Sequence, residues 1–328
     1  MWWVSYRGEG KSGVQNIGVF EDDGSPRKEH PLLLDPAPDA HPVHIARGFA
    51  LVGGDLYIAN AWRKDSHVSR YRRRGDTFHF VDLVVTTEDI SAMVHPFDVE
   101  FGDDGRLYAS CQDTNTVVAI LPETREPAPV ATHLRKTFPD GNFLPGTLVA
   151  SSQGRLPDAG DRAPRDVPSP QGLKVVLDVH GKPRHSVRGI VVHRQHLYVA
   201  DEAGSAVTIY KIKSGRFVAQ IKGKKLTKPV HLILHVDTLY IGAAGSGSIL
   251  AYDIPTKAPR GRRKARMIID GKLKAPSGFA IGPDGDLYVA ERFYQRVRRF
   301  SITGKSKRTF IDGLPDMPEF LVHVPDLA

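Results

Sequence analysis

Apolar residues in this chain come in short runs separated by polar turns, and no segment keeps a 3.6-residue rhythm long enough for an amphipathic helix. One unit recurs. A Leu-Tyr pair sits inside a short strand-like run at Leu56-Tyr57, Leu107-Tyr108, Leu197-Tyr198, Leu239-Tyr240 and Leu287-Tyr288. An apolar run and a tight turn precede each pair, as in Val99-Glu100-Phe101 before Gly102-Asp103-Asp104-Gly105, or Phe279-Ala280-Ile281 before Gly282-Pro283-Asp284-Gly285. Asp-Gly between two strands favours a hairpin because its positive-φ positions match the strand twist. A polar loop, a third run such as Val207-Thr208-Ile209-Tyr210 and a fourth such as Arg308-Thr309-Phe310-Ile311 follow. Four antiparallel strands repeating every ~40–50 residues predict propeller blades.

The count predicts six blades in one domain over residues 1–328, with seven as the alternative. Residues 2–7, 16–20 and 31–34 read as second, third and fourth strands with no first strand, and Glu319-Phe320-Leu321-Val322-His323 as a first strand with nothing after it. Joined, they make a sixth blade and close the ring without free edges. The interval between the pairs at 107 and 197 is about twice the others. It predicts a proline-rich insertion over 122–172 between a third strand and a fourth at Lys174–Asp178, within the blade preceding residue 186. Proline density argues against a regular blade there. The seven-bladed alternative builds a degenerate blade around Gly146–Ser151.

Composition adds bounds. The length is ample for a sizeable core, and no stretch approaches the ~20 apolar residues of a membrane span. The opening Met1-Trp2-Trp3-Val4-Ser5-Tyr6-Arg7 has no apolar signal-peptide core, so a cytoplasmic monomer is expected. Cys111 is the only cysteine, which rules out an intramolecular disulfide and a cysteine-built metal site. With 45 Lys+Arg against 37 Asp+Glu, the net charge of +8 fits either a soluble basic surface or an anionic ligand or partner, and bulk charge alone does not separate the two.

Two segments carry a family resemblance. Val187-Arg188-Gly189-Ile190-Val191-Val192 followed by Leu197-Tyr198-Val199-Ala200-Asp201 resembles an NHL repeat, and Ala275–Ala280 followed by Pro283–Ala290 is similar to both NHL and SMP-30/gluconolactonase repeats. The resemblance implies a six-bladed propeller; members include lactonases, lyases, condensing enzymes and binding modules. SMP-30-type lactonases hold a divalent metal, two of whose ligands stand at the start of first strands. Here Ser277, Phe97 (with Asp98 next) and Val230 (with His231 next) occupy the matching positions. Hydroxyl and apolar groups are poor ligands for a hard cation, so no metal or other cofactor is expected.

The strand entries bring together the candidate chemistry. Asp98, His231 and Glu319 are the acid–base candidates. Arg47 and Arg188 are candidates for gripping a carboxylate, phosphate or enolate, with Ser277 beside them and Phe97, Trp62 and Phe293 as walls. The expected function is therefore binding of a small anionic molecule in the central channel, with metal-independent acid–base chemistry as a lyase, isomerase, cyclase or hydrolase. A non-catalytic scaffold, with these strand-entry groups paired into a salt-bridge ring that closes the channel, is the competing reading, and a metal-dependent lactonase a third. Arg72, Arg73, Arg74, Arg262, Arg263 and Lys264 fall in loops on the opposite face, for which the readings are a solubilising rim of solvated charges or a surface for a nucleic acid or an acidic partner.

Overall fold

The computed structural model describes residues 1–8, 13–35, 43–122, 147–149, 186–212, 215–255, 261–263 and 265–325. The chain folds into six sheets standing around one axis, a six-bladed β-propeller. Blade 1 joins the ends of the chain: Pro318–His323 is its inner strand, followed by Trp2–Tyr6 and Ile17–Phe20. Blade 2 runs through Ala46–Val52, Asp55–Asn60, His67–Arg74 and Thr77–Thr86, and blade 3 through Pro96–Phe101, Leu107–Cys111 and Thr116–Ile120. Blade 4 is Val187–His193, His196–Asp201, Ala206–Lys211 and Arg216–Ile221. Blade 5 is Pro229–His235, Thr238–Ala243, Ser248–Asp253 and Arg266–Ile269; blade 6 is Pro276–Ile281, Leu287–Glu291, Arg296–Phe300 and Ser306–Ile311. Each inner strand packs beside that of the next blade, and Pro318–His323 packs against both Pro276–Ile281 and Ala46–Val52, so the ring is closed.

The expected closure between the termini is present. Trp2, Trp3 and Val4 lie antiparallel to His323, Val322 and Leu321, and the Met1 ammonium donates to the Val324 carbonyl at 3.0 Å. Leu32, in the segment expected as a fourth strand, makes one bridge to Gly18.

The recurring pair has a packing reason. Successive strand residues face opposite sides of a blade, so the Leu packs on the preceding blade and the Tyr on the following one. Leu197 belongs to the apolar cluster between blades 3 and 4 and Tyr198 to that between blades 4 and 5. Trp2 and Trp3 fill the same two roles in blade 1, toward blades 6 and 2 respectively. The core is thus a series of inter-blade layers around the axis.

Two strands depart from the simple repeat. Thr147–Val149, at the centre of the alternative seventh blade, instead lies parallel to Thr116–Ile120 on the outer side of blade 3. The rest of 122–172 apart from Pro122, and the strand expected at Lys174–Asp178, lie outside the described residues. Gly261–Arg263, expected as loop in blade 5, runs parallel to Arg216–Ile221 and covers the outer edge of blade 4.

Candidate functional site

Every inner strand carries a bulge near its start. The pairing skips one residue between Ala46 and Phe49, Pro96 and Asp98, Val187 and Ile190, Pro229 and His231, and Pro276 and Phe279, and opposite Pro318 to Leu321. A bulge re-aims side chains and frees backbone groups. The first bulge position holds Arg47, Phe97, Arg188, Val230, Ser277 and Glu319; the second holds Gly48, Asp98, Gly189, His231, Gly278 and Phe320. Glycine and a larger residue therefore alternate around the second ring, and the spacing explains why. A Cβ on Gly48 would lie 2.3 Å from Asp98 Oδ1, one on Gly189 2.9 Å from His231 Cα, and one on Gly278 2.6 Å from Phe320 Cα. The larger residues bridge onward to the next blade: Ile190 N–H donates to Asp98 Oδ2 at 3.0 Å and Phe279 N–H to His231 Nδ1 at 3.2 Å.

The first ring forms a charged layer across one end of the channel. Glu319, 1% exposed, pairs with Arg47 and with Arg292 Nη2 at 2.6 Å. Burial alone would raise its pKa, but Arg47 and Arg292 outweigh burial and hold the carboxyl below the usual range. Arg188 Nε donates to Glu202 at 2.8 Å. Burial lowers the Arg188 pKa, Glu202 opposes that, and Arg292 and Arg47 lie near enough to add repulsion. The guanidinium carbons of Arg188 and Arg47 stand 5.2 and 6.0 Å from the Phe97 ring centre, within cation–π reach. Arg47 Nε, Arg188 Nη1 and Arg292 Nε are buried and meet no acceptor among the described residues. Three arginines, Arg47, Arg188 and Arg292, thus meet two glutamates, Glu319 and Glu202, in this layer. Ser277 spends its hydroxyl on the Pro318 carbonyl at 2.7 Å.

Beyond this layer the channel widens into a cavity of about 470 Å³ lined by Asp98, Glu100, His231, Phe320 and apolar neighbours. Phe320 packs against Phe97 with ring centres 5.4 Å apart and edge-on to His231 at 4.8 Å, dividing the cavity from the arginines. Burial falls from start to end along Ala46–Val52, Pro96–Phe101, Pro229–His235 and Pro318–His323, so solvent enters from the ends of the inner strands. Of the two arrangements the sequence leaves open at the strand-entry end, a ligand pocket or a salt-bridge ring, the ion pairs of Arg47 and Arg292 with Glu319 form the second. There the Arg–Glu layer and Phe97 close the axis, because six bulged entries bring the backbones together. Burial pushes the Asp98 pKa up to about 7, against the opposing pull of the Ile190 and Val99 N–H groups. Glu100 is pushed up to about 8 by burial and then by Asp98. Burial drives His231 down to about 3, so its ring is neutral.

Asp98 and His231 thus share the cavity, whereas Arg47, Arg188, Phe97, Ser277 and Glu319 are absent from its lining. Trp62 stacks on His44 at 3.9 Å, and Phe293 is 74% exposed; neither lines the cavity. Glu100 was not among the sequence candidates, although its place two residues after Asp98 puts both on one strand face. Arg292 reaches Glu319 from a short 3-10 turn, Arg292–Tyr294, which no local pattern in the sequence signals. The positions matching the lactonase metal do not fit a hard cation: Ser277 is tied to a carbonyl, and Asp98 and His231 accept backbone N–H groups. Among the described residues no three His, Cys, Asp or Glu side chains are grouped to hold a metal ion.

On the opposite face, local acids meet part of the positive charge. Arg72 forks onto Asp55 through two 2.7 Å bonds, and Arg73 Nε donates to the Gly75 carbonyl at 2.8 Å. Arg74 is exposed, Arg262 and Arg263 lie on the strand beside blade 4, and Lys264 is outside the described residues. No helix among the described residues is long and apolar enough to cross a membrane.

No protein-family model matches the chain, and no curated protein matches it. Solved structures do. A protein from Bacteroides fragilis NCTC 9343, provisionally named a 6-phosphogluconolactonase, is 15% identical over 99% of this chain and 97% of its own, with a TM-score of 0.59. A second with that provisional name, from Bacteroides uniformis ATCC 8492, is 13% identical over 98% of each chain at 0.57. A chain of a nidogen/laminin complex is 13% identical over 98% of this chain and 96% of its own, also at 0.57. At these identities the likeness shows the fold alone.

Proposed function

We propose that this propeller binds a small organic anion at the guanidinium layer closing the strand-entry end of its channel. The carrying observation is the set of buried donors on Arg47, Arg188 and Arg292 that meet no acceptor among the described residues, in a layer where three arginines face two glutamates. Buried N–H groups are almost always paired in native proteins, and a carboxylate or phosphate matches guanidinium geometry. Phe97 supplies an apolar platform. Glu319 belongs to this seat as the counter-ion of Arg47 and Arg292. The net charge of +8 favours the approach of an anion.

The acid–base part of the proposal belongs to the cavity. Asp98, with a pKa of about 7, can gain and lose a proton near neutral pH. The neutral ring of His231 offers Nε2–H as a donor. The repeats at 187–201 and 275–290 support placing the chain near the NHL and SMP-30 propellers, which include enzymes and binding modules alike. A non-catalytic scaffold is the reading that remains if the arginine layer proves inert, since its ion pairs alone would then be a structural seal.

Isothermal titration with phosphate, citrate and benzoate at low ionic strength tests the proposal. At least one anion should bind with a sub-millimolar Kd, and Arg188→Gln should weaken it tenfold or more. That loss corresponds to about 1.4 kcal/mol. Silence toward all three anions, or equal affinity in the variant, would contradict it.

A further inference from the structure

The cavity at the open end of the channel is a site of a different chemistry. Its volume of about 470 Å³ suits a small ligand, pockets of this kind spanning roughly 300–1,000 Å³. Phe49, Ile190, Ile233, Phe279 and Phe320 make most of the wall apolar. Among the described residues, the titratable groups that face it are Asp98, Glu100, His231, His235 and His323, and none of the lining is Lys or Arg. Two carboxyls therefore share an apolar cavity with no permanent cation among its described lining residues.

Both carboxyls keep bonding capacity beyond their backbone partners. Asp98 accepts from Val99 and Ile190 N–H at 2.9 and 3.0 Å, and Glu100 accepts from Val192. A carboxylate offers about four lone-pair sites, so each keeps acceptor capacity free. His231 is 7% exposed and accepts Phe279 N–H through Nδ1, which puts the ring proton on Nε2. No protein acceptor meets Nε2 among the described residues, and the ring borders the cavity. The buried donor and the carboxyl pair thus border one apolar space.

We infer that this cavity binds a small organic amine with an apolar body, the ammonium held by Asp98 and Glu100 and a neutral acceptor on the same molecule held by His231 Nε2–H. An ammonium supplies the cation that the lining lacks. Burial keeps both carboxyls protonated in the empty cavity up to near neutral pH, so binding an ammonium expels protons. Affinity then rises as pH increases through about 7 and 8. His235 and His323 stand toward the open end, His323 Nε2 lying 3.0 Å from Asp22 Oδ1. The site does not depend on whether the arginine layer takes an anion.

Calorimetry with 4-(2-aminoethyl)benzamide, 4-ethylbenzamide and 4-ethylbenzoate separates the contributions. The amine should bind at least tenfold tighter than the neutral amide, and the benzoate should not compete for the cavity. Binding should tighten from pH 6 to pH 8 and release protons, seen as a heat that changes with the buffer. Glu100→Gln should cost at least tenfold and reduce the release, while Arg188→Gln should leave amine binding unchanged. Equal binding of amine and neutral amide, no amine binding, or an unaffected Glu100→Gln overturns the inference. If Glu100→Gln fails to fold, Ile233→Phe, which fills the cavity, must abolish amine binding and spare anion binding at the arginine layer; amine binding that survives it also overturns the inference.

Discussion

A histidine that accepts a backbone N–H through Nδ1 has its tautomer fixed by that bond, and His231 does so from Phe279 at 3.2 Å. The ring is stacked edge-on to Phe279 and Phe320 and stays neutral to about pH 3. In the unfolded chain it takes a proton near pH 6.5. Below that value the unfolded state binds the proton and the folded state refuses it, so stability falls as pH drops from about 6.5 toward 3. Denaturant melts of wild type and His231→Gln at pH 7.5, 6 and 5 should show wild type losing ground to the variant, at up to ~1.4 kcal/mol per pH unit. A constant difference across the series would mean that the ring is not held neutral. The sequence marked His231, but as a general base. A single residue type does not reveal that a bulged backbone nearby needs an acceptor.

At the scale of the strand, the alternation of glycine and a larger residue is a packing device. Gly278 lets the bulged strand of blade 1 approach until Phe320 Cα would stand 2.6 Å from an added methyl group. The neighbour is backbone, so it cannot rotate away. Gly278→Ala should destabilise by about 1–3 kcal/mol, as overpacking does, read from a shifted denaturant midpoint. An unchanged midpoint would show that the inner ring has slack. Strand order and turn positions were legible because Leu-Tyr and Asp-Gly repeat with the blades. The ring of glycines was not, since its regularity appears only when six distant segments are superposed. The pairing of Thr147–Val149, a segment the sequence offers as the centre of a seventh blade, was not either: three residues parallel to a blade edge leave no period that tells where they dock.

At the scale of the molecule, closure by the two termini and six blades followed from the sequence, because unfinished strand sets at each end are complementary. The polarity of the channel was open between a pocket and a closing salt-bridge ring at the strand entries. Loops at the strand entries carry the chemistry-bearing residues, yet Arg47, Glu319 and Phe97 close that end while the cavity opens at the other. Which end is shut depends on how far six bulges converge, a three-dimensional quantity. The result is a channel with an arginine-rich seal at one end and a carboxyl-lined cavity at the other. The central claim is that the seal is an anion seat, and a crystal soaked in selenate tests it most directly. Anomalous density within hydrogen-bond distance of Arg188 Nη1 and of at least one of Arg47 Nε and Arg292 Nε is the predicted result. Selenate bound only at surface arginines, with those three donors still unpaired, would contradict it.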